Sequence, residues 1–441
     1  MKVLVIGGGG REHAIVWSLQ KSSRVTEVVC APGNGGIAAL ARCIPVDVAD
    51  LAALIAVAEH EQPALTVIGP EVPLSLGIVD ALQQRGFKVF GPTQAAARLE
   101  TSKAFAKQFM QRHGIPTAAY AVCTSLQQVR EELQRFAPAV VVKADGLAAG
   151  KGVVMCNTHA EAEAAAAELF SGALLGSAQT ELVLEEFLEG EEVSFFALCD
   201  GQHAIPIASA QDHKRIGEGD TGPNTGGMGA YSTDSLITPA MRTWLTHHVA
   251  QKTVDGMAAE STPFSGILFC GIMMTPRGPM VLEFNTRFGD PETQAILMRM
   301  ETELVDLFLA SVDGTADTLV VRMKPGAIVC VIAASGGYPG KVVNGKPISG
   351  LETASATASD TNFVFHSGTA LQDGSIVTAG GRVLAITAMS PQGLEPALAT
   401  AYANLAKITF EGMQFRRDIA WRALQPPPDI HPTLQVVASN S

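Results

Sequence analysis

The length, composition and charge of the chain exclude several classes of protein. Its 441 residues exceed one ordinary core and predict about two to four packed units, at roughly 100 to 200 residues per domain. Hydrophobic residues make up 47%, charged residues only 17%, and glycine occurs 43 times, which is typical of a soluble α/β enzyme and not of a disordered chain. The net charge of −12, with no dense lysine or arginine block, offers no basic surface for nucleic acid or for an anionic membrane.

The cysteines and the apolar runs indicate where the protein works. There are seven cysteines, an odd number, and none of them form a Cys-x-x-Cys pair. Such cysteines are typical of small buried residues in a reducing compartment, and not of disulfides or zinc ligands. The first apolar run, residues 3–6, is too short for a signal peptide, and no later run reaches about 18 residues. We therefore expect a cytoplasmic protein that does not span a membrane.

Short apolar runs alternate with helical patterns over the first hundred residues. The apolar runs cover residues 3–6, 27–30, 65–68 and 89–90, and the helical patterns begin near Arg11, Leu51 and Leu74. This alternation predicts a parallel sheet with helices on both faces. Glycine-rich or Gly-Pro turns follow the runs, at the carboxyl edge where such sheets bind ligands.

A proline and several turn signals organise the rest of the chain. One long helix is expected over residues 94–113, ended by Gly114 and Pro116, because proline cannot continue the helical hydrogen bonds. Residues 182–187 are expected to pair with residues 193–199 as a hairpin within a small α+β lid. Beyond residue 326, strand patterns with turns at Asn344-Gly345 and Asp373-Gly374 predict a small separate β-rich domain. The expected domains are an N-terminal α/β domain at 1–102, a central domain at 103–325 with its lid at about 120–192, a β-rich domain at 326–425 and a tail at 426–441.

The segment 281–292 carries the most informative side chains. In a strand, residues i and i+2 face the same side, so Glu283 and Asn285 point together while Phe284 packs behind them. A carboxylate and an amide oxygen are hard ligands suited to Mg²⁺ or Mn²⁺. Arg287 follows within a short reach and offers a planar set of donors to a phosphate. Taken alone, this short pattern also fits the solvated polar end of a strand.

A lysine at the end of an apolar run introduces a second motif. Lys143 follows three valines and leads into a glycine-rich loop, whose backbone N–H groups can approach phosphates while its lysines supply charge. The loop is not a Walker A loop. Gly146 and Gly150 are one residue too close together, and Gly152 follows Lys151 where serine or threonine would bind magnesium.

These segments, together with residues 209–229, resemble the ATP-grasp superfamily and, within it, the phosphoribosylamine–glycine ligase family. The resemblance covers nearly the whole chain and implies an α/β and α+β multidomain fold, with a parallel-sheet N-terminal domain, a central ATP-grasp fold and a small C-terminal β-rich domain. It implies ATP-dependent ligation of glycine to 5-phospho-β-D-ribosylamine through glycyl phosphate, giving glycinamide ribonucleotide, ADP and phosphate in de novo purine synthesis. One departure is that residues 266–274, on the preceding strand, contain no acid, so the metal ligands implied are Glu283 and Asn285 alone.

The resemblance also implies roles for individual residues, with Arg287 and Lys143 acting in catalysis. ATP is expected to contact Lys103, Lys143, Gly146, Gly150, Lys151, Gly152, Glu185, Phe187, Leu188 and Glu192. Substrate is expected to bind near Gly8, Gly9, Gly10, Asn34, Gly35, Gly36, Pro70, Glu71, Asp212, His213, Lys214, Asn224, Thr225, Gly226, Gly227, Met228, Gly229 and Arg287, with the phosphosugar at the N-terminal glycine turns; no residue is assigned to glycine. These small molecules are the expected partners, and the chain is expected to act as a monomer.

The glycines at residues 7–10 also fit a dinucleotide site, because a strand, a glycine turn and a helix N-terminus bind anions. However, no register gives Gly-x-Gly-x-x-Gly, since the last position falls on Glu12 or His13, and Pro32 stands where an acid would hold a ribose. Three alternatives stay open: a different ATP-grasp ligase acting on another purine precursor or on bicarbonate, a nucleotide-binding regulatory module, and an NAD-dependent oxidoreductase. The joint presence of Glu283, Asn285 and Arg287 argues against a module without turnover.

Overall fold

A parallel sheet forms the N-terminal part of the computed structural model, which describes residues 1–147, 152–356 and 358–425. Its strands are β1 (Lys2–Gly7), β2 (Glu27–Pro32), β3 (Arg42–Cys43), β4 (Leu65–Ile68) and β5 (Val89–Phe90). They pair in parallel in the order β3-β2-β1-β4-β5, which confirms the predicted parallel sheet. The helices that connect and follow them are α1 (Gly10–Leu19), α2 (Leu51–Glu61), α3 (Glu71–Ser75), α4 (Ile78–Gln83), α5 (Gln94–Thr101) and α6 (Lys103–Arg112).

The single helix predicted over residues 94–113 is wrong, because the chain forms the two helices α5 and α6. Ser102 separates them with an extended backbone, at φ −137° and ψ 112°. Its hydroxyl accepts a hydrogen bond from the N–H of Phe105 at 3.1 Å, and the carboxylate of Asp145 accepts one from the N–H of Ala104 at 3.0 Å. These two caps satisfy the first free N–H groups of α6 and start a new helix inside a continuous helical pattern.

A small antiparallel sheet forms the lid. Its elements are β6 (Tyr120–Cys123), α7 (Leu126–Leu133), β7 (Val140–Ala144), β8 (Val153–Cys156), α8 (His159–Ser171) and β9 (Leu182–Glu186). The strands pair in the order β6-β9-β7-β8. The lid has its own hydrophobic core, whose buried members all lie between Ala121 and Leu184. The lid is therefore a distinct packing unit.

A long antiparallel sheet runs through the centre of the protein and into its C-terminal part. The central elements are β10 (Glu191–Asp200), β11 (Ala204–Asp212), β12 (Arg215–Gly217), β13 (Thr221–Asn224), β14 (Gly229–Thr233), α9 (Pro239–Leu245), a π-helical segment (Thr246–Gln251), α10 (Lys252–Ala259), β15 (Ser265–Thr275), β16 (Gly278–Asn285), α11 (Glu292–Arg299) and α12 (Leu304–Asp313). The C-terminal elements are β17 (Ala327–Ala334), α13 (Leu351–Ser355), β18 (Asn362–His366), β19 (Thr369–Gln372), β20 (Ser375–Thr378), β21 (Arg382–Ser390), α14 (Leu394–Leu405) and α15 (Trp421–Leu424). The strands of the long sheet pair in the order β16-β15-β10-β11-β14-β17-β21-β18.

The hairpin predicted between residues 182–187 and 193–199 is wrong, because β9 and β10 belong to different sheets. β9 pairs with β6 and β7, whereas β10 pairs with β11 and β15. Gly190, at φ 153°, carries the chain from one sheet to the other, and a Cβ there would lie 2.2 Å from the carbonyl oxygen of Met274. Residues 187–190 therefore cross from the lid to the central sheet.

The C-terminal strands extend the central sheet instead of forming a separate one, since β17 pairs with β14. The predicted turn at Asp373-Gly374 is confirmed between β19 and β20, with φ values of 50° and 79°. One hydrophobic cluster joins Val3, Phe308 and Ile328, so the N-terminal, central and C-terminal parts share a core. No helix among the described residues has both the length and the apolar character needed to cross a membrane.

Candidate active site

Strand β16 ends with Glu283 and Asn285, whose side-chain oxygen atoms can serve as metal ligands and lie on one face of the strand, as the strand pattern predicts. Phe284 between them is 2% exposed and packs into the core, whereas the Glu283 side chain is 38% exposed. Asn285 Oδ1 accepts a hydrogen bond from Arg287 Nη2 at 3.3 Å, and Glu283 Oε1 lies 4.0 Å from Lys214 Nζ. Burial alone would raise the pKa of Glu283, but the surrounding cations, Lys214 foremost, lower it. An ionised carboxylate beside an amide oxygen fits a hard divalent cation.

Two of the lysines predicted to contact ATP interact electrostatically with Glu283. Lys143 lies on β7, and its Nζ is 2.8 Å from Glu185 Oε1 and 3.4 Å from the carbonyl oxygen of Leu282. Lys103 begins α6, and its Nζ donates to the carbonyl of Gly146 at 2.9 Å. Burial lowers the pKa of Lys103. Strand β7 of the lid, helix α6 and strand β16 thus bring lysine side chains close to the carboxylate of Glu283.

The predicted phosphate-covering loop is described only in part, since Gly150 and Lys151 lie outside the described residues. Gly146 adopts φ 89°, a left-handed conformation that favours glycine. Gly152 follows the gap, and its carbonyl accepts a hydrogen bond from the N–H of Ala144 at 2.7 Å. The described ends of the loop therefore leave from neighbouring lid strands.

A buried lysine that the sequence interpretation missed lies behind Glu185. Glu185 is 2% exposed, and its Oε2 is 2.8 Å from Lys107 Nζ while its Oε1 faces Lys143. Lys107 is also 2% exposed and stands four residues after Lys103 on α6. Helical spacing of four places both lysines on one face, and this is the signal that could have identified Lys107.

The chain from Phe187 to Glu192, which runs from the lid into the central sheet, contains the other residues expected to contact ATP. Phe187 is 38% exposed and Leu188 is 6% exposed. Glu192, at the start of β10, forms an ion pair with Lys214. The carboxylates of Glu192 and Asp212 raise the pKa of Lys214, although burial alone would lower it. Lys214 therefore stays charged and lies between Glu192, which is expected to contact ATP, and Glu283 on β16.

Arg287 is held by two carboxylates of the N-terminal part. Its Nη2 is 2.8 Å from Glu100 Oε1, and its Nε is 3.4 Å from Glu71 Oε2. Glu100 also accepts hydrogen bonds from the N–H of Thr286 at 2.7 Å and from its hydroxyl at 3.0 Å. Burial raises the pKa of Glu100. Glu71 was predicted as a site residue, but Glu100 was missed, since nothing in the local sequence distinguishes it from an exposed helical glutamate.

Asp212 and Glu292 place further carboxyl groups beside Lys214. Burial raises the pKa of Asp212, Lys214 opposes this shift, and Glu292 and Glu192 add to it, so that the pKa of Asp212 is about 8. Burial also raises the pKa of Glu292, whose Oε1 accepts a hydrogen bond from Ser194 Oγ at 3.1 Å. With a pKa of about 8, Asp212 can accept a proton near neutral pH.

His213 is in the interior and has a structural partner. The ring Nε2 of His213 accepts a hydrogen bond from the N–H of Ala420 at 3.0 Å. The backbone N–H of His213 donates to the carbonyl of Gly229 at 2.9 Å. Burial, together with the charges of Arg416 and Arg422, lowers the pKa of His213 to about 4. The imidazole ring therefore links the segment around His213 to the C-terminal part of the chain. A contact between His213 and a substrate stays a prediction.

The loop from Asn224 to Gly229 is held by hydrogen bonds within the central part and by hydrogen bonds to the C-terminal part. Asn224 pairs with Arg215 in the hairpin of β12 and β13, and Met228 is fully buried. Between them, Thr225 Oγ1 donates a hydrogen bond to the carbonyl of Lys214 at 2.9 Å and accepts one from the N–H of Gly227 at 2.9 Å. Gly226 donates its N–H to Tyr338 Oη at 3.0 Å and accepts from Arg382 Nη1 at 2.6 Å. Tyr338 and Arg382 were both missed, because they lie more than a hundred residues away in sequence.

The N-terminal glycine turns are joined by Asn34. Its Nδ2 donates to the carbonyl of Gly8 at 2.9 Å and to that of His366 at 2.8 Å, and its Oδ1 accepts from the N–H of Gly36 at 2.9 Å. Gly35 donates its N–H to the carbonyl of Thr369 at 3.2 Å. The C-terminal strands β18 and β19 therefore close this side of the site.

Two carboxylates already stand at the start of α1. Glu12 accepts a hydrogen bond from the N–H of Gly9 at 2.6 Å, and Asp290 accepts one from the N–H of Arg11 at 3.4 Å. Pro70 precedes the first turn of α3, which Glu71 begins. The N–H of Gly9 thus has a protein acceptor, and the phosphate contact expected at Gly8, Gly9 and Gly10 stays a prediction.

The comparisons with known proteins agree with this arrangement. Family models described as phosphoribosylglycinamide synthetase match the chain over three consecutive ranges, which are the N domain at residues 1–100, the ATP-grasp (A) domain at 101–293 and the C domain at 328–422. The class is therefore that of the ATP-grasp enzymes. The chain belongs to the phosphoribosylamine–glycine ligase family, and it is an ADP-forming ligase that attaches glycine at the expense of ATP in purine synthesis.

Individual relatives cover nearly the full length. The chain is 49% identical to the phosphoribosylamine–glycine ligase of Xanthomonas campestris over 428 residues, with 96% of this chain and 98% of the relative covered. It is similar to the crystal structure of the Thermotoga maritima enzyme with a TM-score of 0.83 and 34% identity, covering 95% and 100% of the two chains. The biotin carboxylase domain of Hydrogenobacter thermophilus 2-oxoglutarate carboxylase matches with a TM-score of 0.73 at 15% identity, covering 94% and 91%, which shows a shared fold alone.

Proposed function

We propose that the ligase works through glycyl phosphate and that its residues act by position and charge, without a covalent enzyme nucleophile. A carboxylate oxygen of glycine attacks the γ-phosphate of ATP, which releases ADP. The amine of 5-phospho-β-D-ribosylamine then attacks the acyl carbon, loses a proton and expels phosphate, giving glycinamide ribonucleotide. The observation that carries the proposal is the meeting of Glu283 and Asn285 with the cations Lys103, Lys143 and Lys214.

Glu283 and Asn285 would hold a divalent cation, since their oxygen donors and the ionised state of Glu283 fit such an ion. When bound, Mg²⁺ or Mn²⁺ neutralises charge on the phosphate groups. Chelation by EDTA should stop ADP release, and adding back each ion in turn identifies the one that supports turnover. Undiminished ADP release after chelation would contradict the assignment.

The residues of the lid and of the crossing segment bind ATP in this proposal. Lys143 and Lys103 meet the phosphates, together with the loop residues Gly146, Gly150, Lys151 and Gly152. Glu185, Phe187 and Leu188 meet the adenine, and Glu192 meets the ribose. Arg287 has five N–H donors, so it can reach a phosphate oxygen while it keeps its contact with Glu100. The loop excludes water, which matters because acyl phosphates hydrolyse.

The opposite side binds glycine and the phosphosugar. The residues assigned to it are Gly8, Gly9, Gly10, Asn34, Gly35, Gly36, Pro70, Glu71, Asp212, His213, Lys214, Asn224, Thr225, Gly226, Gly227, Met228, Gly229 and Arg287. Contacts that join Asn34 to β18 and Gly226 to Arg382 support a single pocket there. We also propose that the enzyme acts as a monomer.

Two further assignments belong to the proposal. We propose that the enzyme is cytoplasmic, because its seven cysteines are free, as expected in a reducing compartment. We also propose the division at 1–102, 103–325 and 326–425, with the lid as a unit of the central domain that has a hydrophobic core of its own.

The decisive assay measures ADP release with phosphoribosylamine and glycine, each omitted in turn. ADP release should require both substrates and should give one glycinamide ribonucleotide per ADP. Equal release with bicarbonate, or with another amine in place of phosphoribosylamine, would refute the assigned substrates while leaving the ATP-grasp chemistry intact.

A further inference from the structure

A buried carboxylate shared by two lysines lies behind the proposed nucleotide site. Glu185 Oε1 is 2.8 Å from Lys143 Nζ, and its Oε2 is 2.8 Å from Lys107 Nζ. Lys107 Nζ also donates to Thr117 Oγ1 at 2.7 Å, and Thr117 Oγ1 donates to the carbonyl of Val281 at 2.6 Å. Lys107 thereby ties helix α6 to the lid strand β9 and to the metal-binding strand β16.

Glu185 needs a permanent counter-ion because it is 2% exposed. Burial alone would raise its pKa, but Lys143 and Lys107 lower it, so the carboxylate stays ionised. If Lys143 were its sole partner, drawing Lys143 toward a phosphate group would leave a buried charge uncompensated, which is strongly unfavourable. A second buried lysine removes that conflict.

We propose that Lys107 is a positioning residue that holds Glu185 and so leaves Lys143 free to bind the phosphate groups of ATP. The inference rests on the proposed nucleotide roles of Lys143 and Glu185. Lys107 itself touches no substrate, because its Nζ is enclosed between Glu185 and Thr117.

The test is the affinity for Mg²⁺ with the non-hydrolysable ATP analogue AMP-PNP, measured by isothermal titration calorimetry. Lys107→Met should weaken binding by about tenfold, and Lys107→Arg, which keeps the charge, should stay within about threefold of the unmodified protein. Lys88→Met is the matched control, because it removes a half-exposed lysine paired with Asp313 at 2.6 Å and should leave the affinity unchanged. Unchanged affinity in Lys107→Met would overturn the proposal.

A double-mutant cycle separates this role from simple support of the fold. In a Glu185→Gln background there is no carboxylate charge to capture Lys143, so adding Lys107→Met should cause no further loss of affinity. An equal loss in both backgrounds would mean that Lys107 acts only through the structure, and would overturn the proposal. If Lys107→Met alone fails to fold, Lys107→Gln takes its place in both backgrounds, and the same two outcomes decide.

Lys143→Met distinguishes this inference from the proposed function. If Lys143→Met binds Mg²⁺ and AMP-PNP as tightly as the unmodified protein, the nucleotide role of Lys143 fails and the positioning role fails with it. If Lys143→Met binds weakly while Lys107→Met binds normally, the positioning role alone is refuted.

Discussion

The two sides proposed for the active site, the nucleotide side and the phosphosugar side, are built from different kinds of group. On the nucleotide side, charged side chains such as Lys143 and Glu283 approach one another from strands of two sheets. On the phosphosugar side, the backbone is packed so closely that a Cβ added at Gly8 or Gly36 would lie 2.4 Å from a neighbouring atom. A substitution therefore removes a charge on one side and displaces backbone on the other.

The two sides also differ in where their support comes from. Lys143 and Lys107 share a carboxylate of the lid, whereas Asn34 and Gly226 are held by C-terminal residues such as His366 and Arg382. We therefore expect losses on the nucleotide side to appear in catalysis and ATP binding. Losses on the phosphosugar side should appear in stability and in binding of phosphoribosylamine.

The largest effect is expected from Glu283→Ala on the nucleotide side. Removing the metal-binding carboxylate should lower kcat for ADP release by at least about 10³-fold. The melting temperature should shift by less than about 4 °C, because the side chain is 38% exposed. Glu301→Ala, which removes an exposed glutamate, is the control and should keep full activity. Full activity in Glu283→Ala would remove the metal assignment.

Arg287→Met should reduce kcat by about 10²-fold, since a donor to the transferring phosphoryl group is lost. It should also destabilise the fold by about 3 kcal/mol, because buried Glu100 loses its cation. Adding Glu100→Gln should restore the melting temperature but not kcat. Recovery of kcat in the double variant would assign Arg287 a structural role alone.

A pair of substitutions compares the two sides directly. Lys103→Met should raise KM for ATP by about tenfold and leave KM for phosphoribosylamine unchanged. Gly36→Ala should raise KM for phosphoribosylamine instead, and should destabilise the fold by about 1 to 3 kcal/mol, because its Cβ would press on His366. Steady-state kinetics with each substrate varied in turn gives KM for ATP and KM for phosphoribosylamine in both variants. If each variant raised both constants equally, the two sides would not be separable.

The smallest effect concerns stability alone and the buried His213. Burial lowers its pKa to about 4, whereas the unfolded chain takes up the proton near its ordinary value of about 6.5. The stability that neutral His213 contributes is therefore complete above about pH 6.5 and falls by up to about 3 kcal/mol as the pH drops to about 4. Urea unfolding across this range should show a smaller loss for His213→Gln than for the unmodified protein. Equal losses would contradict the buried, neutral state, and KM for phosphoribosylamine in the same variant tests the predicted substrate contact.

The sequence predicts well what depends on spacing within one element. Glu283 and Asn285 share a face of β16 because strand side chains alternate, and this needs no knowledge of the rest of the chain. The partners of an element are different, since an alternating pattern fixes which face is buried but not which strand lies beside it. That is why β9 and β10 were wrongly paired. Glu100 and Lys107 were missed for the same reason, because their partners Thr286 and Glu185 are distant in sequence.

The most direct test of the central claim follows the oxygen atoms of glycine. With glycine labelled by ¹⁸O in its carboxylate, formation of glycyl phosphate transfers one labelled oxygen to phosphate when the amine displaces it. The account predicts inorganic phosphate that carries one ¹⁸O atom for each glycinamide ribonucleotide formed, as measured by mass spectrometry. Unlabelled phosphate at full product yield would show that the carboxylate is not phosphorylated, and would contradict the mechanism.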